Sequence, residues 1–249
     1  PRIRKTEVFM GSNEAEIDRE KCIRCGKCVS ICRLEAIKVV AGNGDGKIEK
    51  VFIDPMLCEG CGACVYGCPV DAITLEEKES GKWFISDTDY GPFVFAKLGI
   101  AAENSGKLVT RIKDEADILG RKEKADYMIV DGPPGIGCPV ISSLSGMELA
   151  LIVTEPTLSG MSDMERVIKV AEYFGVETRV LINKYDINTE NSMKIEKMCG
   201  EKGIPVAGRI PFSEKVPMSV VEGVPYVKFS DDSISKKIRE IWKGISEGG

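Results

Sequence analysis

Eight cysteines in two runs of identical spacing constrain this sequence more than any other feature. Cys22, Cys25, Cys28 and Cys32 follow C-x2-C-x2-C-x3-C, and Cys58, Cys61, Cys64 and Cys68 repeat the run 36 residues later. The repeat reaches beyond the thiols. Ile17-Asp18 recurs as Ile53-Asp54, and Ala36-Ile37 as Ala72-Ile73, at the same offset. Each copy reads as a short strand, a cysteine loop, a short helix and a second short strand. Together they predict a pseudo-twofold α+β ferredoxin-like unit over residues 16–78.

The spacing has a mechanical meaning. Thiolates at i, i+3 and i+6 on a tight loop face three corners of one cubane, while the fourth cysteine points toward the other cluster. The expected ligand sets therefore cross. Cys22, Cys25 and Cys28 take Cys68 for the first [4Fe–4S] cluster, and Cys58, Cys61 and Cys64 take Cys32 for the second. Gly26, Gly60 and Gly62 let the backbone approach the inorganic sulfides. Arg33 replaces the proline found at Pro69, which is not a ligand position; its positive charge is expected to raise the potential of a nearby cluster. Zinc is the competing reading, but zinc favours two separated C-x-x-C pairs over a triple run with a crossing fourth.

Composition excludes several other classes. The chain has 249 residues, no histidine and only two cysteines outside the repeat, Cys138 and Cys199. Small secreted disulfide scaffolds are short, with scattered cysteines, whereas clustered thiols in a long acidic chain fit a reducing cytoplasm. No signal peptide is read at Pro1, and no apolar run is long enough to span a membrane. A net charge of −5 argues against a general nucleic-acid binder.

The remainder has another character. Residues 127–131, 149–154, 179–183 and 206–210 read as buried strands, separated by helical patterns near 160–174, 189–202 and 213–222. Continuous apolar strands alternating with helices predict a mostly parallel sheet with helices on both faces. Ile234, Ile238, Ile241, Trp242 and Ile245 lie at helical spacing and predict a terminal packing helix.

Two strand ends carry nucleotide-site signatures. Asp131-Gly-Pro-Pro-Gly135 ends the first strand, where open α/β sheets bind ligands, and an Asp there in P-loop proteins holds Mg²⁺ or its water. An ordinary strand-ending turn uses the same residues. Asn183, Lys184 and Asp186 end another strand in the N-K-x-D pattern that reads a nucleotide base. The phosphate-cradling G-x-x-x-x-G-K-[ST] loop is not found. Residues 41–48 come near it but are expected to form a hairpin turn, and they fail as a calcium loop too. Residues 101–108 come near it as well, with Ser105 expected as a helix cap.

Taken together, the doubled cysteine run, Ser105-Gly-Lys-Leu-Val-Thr110, the segment 131–143, Thr154-Glu-Pro-Thr-Leu-Ser-Gly160 and Ile182-Asn-Lys-Tyr-Asp186 resemble the MinD/Mrp-type P-loop ATPases with an inserted two-cluster ferredoxin domain. The resemblance implies a P-loop NTPase-like fold and a chain that starts after the family's Walker A. The expected divisions are residues 1–15 as an NTPase remnant, 16–78 as the ferredoxin-like domain and 79–249 as the remaining NTPase domain. It also implies an ATP- and Mg²⁺-dependent protein of iron–sulfur or metal-cofactor handling, often dimeric. Asp131 is carried over as the Mg²⁺/water residue, and Gly135, Asn183, Lys184 and Asp186 as nucleotide contacts. Without its P-loop, the chain alone is expected not to hydrolyse ATP. Two function classes stay open: an ATPase gating electron transfer or cofactor assembly, with a redox partner or cofactor target, and a plain electron-transfer ferredoxin on an α/β scaffold.

Overall fold

The computed structural model describes residues 2–42, 47–99 and 106–247, arranged as two compact units, 1–129 and 130–249. In the first unit the chain runs β1 (Arg2–Ile17), α1 (Lys27–Ile31), β2 (Ile37–Ala41), β3 (Ile48–Ile53), α2 (Ala63–Gly67), β4 (Ile73–Thr88), β5 (Gly91–Leu98) and α3 (Gly106–Glu123). The order of short elements from 12 to 77 is the one the repeat dictates. The outer strands are far longer than the repeat needs. β1 and β4 pair antiparallel from Arg2↔Asp87 to Ile17↔Ile73, with register shifts near Ile3, Phe9 and Met10. Outside the cysteine lobe this ribbon gains a third strand, β5. Two strands alone bury too little to be stable in water. Here α3 packs on the sheet, and Trp83 is 1% exposed between the Lys5 ammonium and the Arg111 guanidinium, 4.7 and 5.2 Å from its ring.

The compact units cut the chain differently from the divisions 1–15, 16–78 and 79–249. Residues 2–10 pair with 79–87, and 81–88 with 91–98, as one ribbon, so hydrogen bonding ties both flanks of the cysteine lobe into the first unit. The β2–β3 hairpin forms, with Gly42 N donating to Lys47 O at 2.8 Å. Residues 43–46, where the hairpin turn is expected, and the expected cap Ser105 lie outside the described residues.

In the second unit α4 (Cys138–Leu144), β6 (Leu149–Thr154), α5 (Leu158–Tyr173), β7 (Glu177–Asn183), a 3-10 turn (Tyr185–Ile187), α6 (Thr189–Glu201), β8 (Val206–Ile210), α7 (Lys215–Val221), α8 (Tyr226–Phe229) and α9 (Ser233–Ser246) follow in order. The sheet is parallel, in the order β6-β7-β8. Side chains alternate across β7: Val180 and Ile182 meet Met164 and Ile168 of α5 and Ile195 and Cys199 of α6. On the opposite face a Cβ on Gly208 would stand 2.6 Å from the Ile241 side chain of α9, so a larger residue there would make Ile241 shift. The helix ends follow capping chemistry. Thr157 caps α5, Asn188 caps α6, and Asp232 accepts from Ile234 N and Ser235 N at the start of α9. The Tyr226 hydroxyl bonding to Asp232 holds that carboxyl well below the usual range.

One expected strand is not there. Residues 127–131 are irregular, with Tyr127 and Ile129 exposed at 55% and 78%. A strand exists only against a partner, and no described strand pairs with this segment. Among the described strands β6, next in the chain, pairs only with β7, and its Leu151 and Val153 stay exposed.

The core of the second unit sets a testable contrast. Ile168 is fully buried among Val180, Ile182 and Ile195, so Ile168→Ala should cost about 2–5 kcal/mol. Val153→Ala, at an exposed site, should stay within about 0.5 kcal/mol. Urea unfolding of both variants checks this; equal midpoints would contradict the packing.

Candidate metal centre and nucleotide-site fragments

The two cysteine loops are started by the same bonds. Asp18 N donates to Ala72 O at 2.8 Å and Asp54 N donates to Ala36 O at 2.7 Å, so each half is clasped by the other. Each aspartate then organises its loop. The Asp18 carboxylate accepts from Glu20 N at 2.9 Å and the Asp54 carboxylate from Met56 N at 3.0 Å. Backbone donors at Glu20 and Lys21 draw the Asp18 carboxyl below its ordinary value. Cys22 N and Cys58 N bond back to the Asp18 and Asp54 carbonyls at 3.0 and 3.1 Å.

Left-handed backbone then turns each loop, at matching positions. Gly26 and Gly62 have φ of 73° and 78°, Arg24 and Gly60 59° and 63°, and Glu35 and Asp71 53° and 49°. Such angles come easily only to glycine and strain other residues. At Gly60 space also demands it: a Cβ would lie 2.1 Å from the Asn13 carbonyl oxygen.

The thiols take the place of a conventional core. Cys28 and Cys64 are buried with Ala15, Ile37, Val51 and Ile73, and Cys22, Cys32, Cys58 and Cys68 pack against them. Cys25 and Cys61 are exposed. One cavity is lined by Cys32 of the first half together with Cys58, Cys61 and Cys64 of the second. That is the crossed set expected for the second cluster, and soft thiolates are the donors that iron–sulfur clusters take. Ala72 N lies 3.2 Å from Cys68 Sγ, a hydrogen bond of the kind that tunes cluster sulfur. Burial, and then the neighbouring Cys22 and Cys58, push the Cys28 and Cys64 thiols up. Bound iron offsets that penalty by stabilising the thiolates. Among the described residues no three His, Cys, Asp or Glu side chains are arranged for a single metal ion.

The nucleotide-site residues lie in the second unit. Asp131 is exposed on irregular backbone, and Gly135 turns the chain at φ 89° ahead of α4, where Cys138 is exposed. Asn183 ends β7, and Lys184 follows at φ 50°. Two members of this motif are already engaged. Lys184 Nζ pairs with Glu155 at 2.7 Å, and the Asp186 carboxylate accepts from Phe212 N at 2.7 Å. In the sequence Glu155 is marked only by its place in the Thr-Glu-Pro run; the parallel pairing of β6 with β7, which aligns Thr154 with Ile182, is what brings it to Lys184. A separate cavity of about 500 Å³ lies between β8 and α9, lined by Tyr185, Glu196, Arg209 and Lys237; Asp131, Asn183, Lys184 and Asp186 do not line it.

Comparison with known proteins bears on both regions. Residues 15–75 match the 4Fe-4S dicluster domain, and residues 120–246 match the NUBPL iron-transfer P-loop NTPase family. An uncharacterized protein of Methanocaldococcus jannaschii is 35% identical over 228 residues, covering 92% of this chain and 73% of that protein. A second uncharacterized protein of that organism is 29% identical, with 64% of this chain and 53% of the other covered. The septum site-determining protein MinD of Synechocystis is 27% identical, with 53% and 48% covered. Among solved structures, the MinD cell division protein of Aquifex aeolicus aligns with a TM-score of 0.51 at 21% identity, over 67% of this chain and 69% of that one, a likeness of fold.

The loop geometry yields a prediction at equivalent positions. Arg24 already carries a Cβ at the conformation where Gly60 has none, so Arg24→Ala should leave iron content unchanged. Gly60→Ala drives a Cβ into the Asn13 carbonyl and should lower both iron retained after desalting and thermal stability. Equal iron in the two variants would contradict the assigned contact.

Proposed function

We propose that this chain, which belongs to the NUBPL iron-transfer P-loop NTPase family and carries a 4Fe-4S dicluster domain, holds two [4Fe–4S] clusters whose redox or assembly role is gated by ATP. The observation that carries this reading is the cavity shared by Cys32 with Cys58, Cys61 and Cys64. Cys22, Cys25, Cys28 and Cys68 form the matching set. When bound, each cluster supplies one-electron redox chemistry. The chain's own residues place the thiolates, aim backbone donors at sulfur and exclude water around Cys28 and Cys64. Asp131 is assigned to Mg²⁺ or its water, Gly135 to the turn beside the phosphates, and Asn183 and Asp186 to the base, in a cytoplasmic protein that pairs as a homodimer. The phosphate cradle belongs to a G-x-x-x-x-G-K-[ST] loop, which this sequence does not contain.

The coupling is testable. Nucleotide that favours one redox state must bind that state more tightly. With a P-loop segment joined upstream of this chain, a coupling of 1–3 kcal/mol should appear as a shift of roughly 40–130 mV in a one-electron midpoint on adding Mg-ATP. Identical midpoints at saturating nucleotide favour the second reading, a plain electron carrier. The engagement of Lys184 by Glu155 and of Asp186 by Phe212 N supports that second reading.

The ligand assignment has its own test. Anaerobically prepared protein should carry about eight irons and eight acid-labile sulfides per chain. Cys32→Ala should disturb the cluster of Cys58, Cys61 and Cys64 and spare the other in the electron paramagnetic resonance spectrum. Damage confined to the first cluster would refute the crossing, and bound zinc would refute the clusters.

A further inference from the structure

The internal repeat lets charge be compared position by position between two loops of the same geometry. Four sites in the first loop are cationic where the second is neutral: Arg19 against Pro55, Lys21 against Leu57, Arg24 against Gly60, and Lys27 against Ala63. Conversely, Glu59 of the second loop stands against Ile23. Residues 18–28 hold four cations and two anions, a net +2, and residues 54–64 hold two anions and no cation, a net −2. A cluster brings the same charge to either loop, so the difference of four survives loading.

These cations are available. All four are exposed. Lys21 makes a loose pair with Asp18 at 3.5 Å, and the Arg19, Arg24 and Lys27 side chains have no carboxylate partner among the described residues. Between them lie exposed Cys25 and Ile23, the latter 60% exposed. An apolar tip inside a polar, charged rim is the anatomy of a protein interface. Outside residues 18–28 the chain carries −7. An acidic partner is therefore repelled by the net charge of the molecule and drawn to the first cysteine loop rather than the second.

We propose that the first cysteine loop is the docking face for an acidic one-electron carrier protein, held by Arg19, Lys21, Arg24 and Lys27 around Ile23 and Cys25. Nucleic acid fits less well. The loop has no aromatic residue on which a base could stack, and the acidic remainder repels a long polyanion. The proposal rests on the electron-transfer reading above and adds the partner's chemistry and its place of contact. Small, weak and electrostatically steered interfaces are the norm for redox partners. On docking, one electron passes from the carrier's reduced flavin to the oxidised cluster, with no bond made or broken.

The test uses iron-loaded protein and an acidic flavodoxin as the probe. Three measurements are made: affinity across a salt series, carbodiimide cross-links mapped by mass spectrometry, and the rate of electron exchange. Affinity should fall steeply with salt, and cross-links should concentrate on Lys21 and Lys27. Arg24→Glu with Lys27→Glu should weaken binding roughly tenfold or more at low salt and flatten the salt dependence. Lys122→Glu with Lys169→Glu, an equal charge change elsewhere, should not. If the first pair loses iron, Arg19→Glu with Lys21→Glu takes its place. Cross-links at Lys21 and Lys27 without electron exchange would uphold the docking face and sink the electron-transfer reading. Electron exchange with equal loss in both charge-reversed pairs, or cross-links scattered elsewhere, would overturn the docking face and leave that reading intact. Tighter, salt-sensitive binding of a single-stranded oligonucleotide at the same residues would also overturn it.

Discussion

The mutual clasp between the two halves of the cysteine lobe is the interaction on which the rest of the first unit depends. Asp18 bonds to Ala72, and Asp54 to Ala36. Neither half closes by itself, because the strand end that starts one cysteine loop is held by the segment that follows the other loop's helix. The core beneath this clasp mixes aliphatic side chains, Ile37, Val51 and Ile73 among them, with the cysteines. Thiols fill the remaining space. A lobe of about 60 residues is marginal on apolar burial alone, and metal ligation is one way to stabilise it. Iron–sulfur binding and folding are thus one problem here.

Around that lobe the chain spends residues on support. The 16-residue strands β1 and β4 begin and end the cysteine lobe and continue past it as one ribbon, with β5 and α3 behind. Any displacement of the loops has to be carried through Ile17 and Ile73, where this ribbon enters the lobe. The second unit solves a different problem. Its sheet is covered by α5 and α6 on one face and by α9 on the other, and Gly208 sets how closely α9 approaches. A bulkier residue there would force Ile241 outward.

The sequence was legible where geometry is local. Cysteine spacing, the constant offset of 36 and the left-handed glycines Gly26 and Gly62 follow from the backbone a cubane requires, and all sit in matching conformations in the two halves. The strands at 149–154 and 206–210 also followed from their apolar runs, and the helix Ser233–Ser246 from the spacing of apolar residues that buries Ile234 and Ile241. The segment 127–131 shows the limit of that logic. Its apolar run is suited to a buried strand, but a strand is a property of two segments, and no described strand pairs with this one.

What the sequence determined by itself is the chemistry: which side chains are soft donors, how they are spaced, and where charge differs between two otherwise matching loops. Only the tertiary structure decided which groups meet. It brought Cys32 to the cavity of the opposite half, extended β1 and β4 into a shared ribbon, and set Glu155 against Lys184 and Phe212 against Asp186. The physical reason is range. Spacing and backbone preference act within a few residues, whereas these contacts join positions brought together by strand pairing and packing across the whole unit.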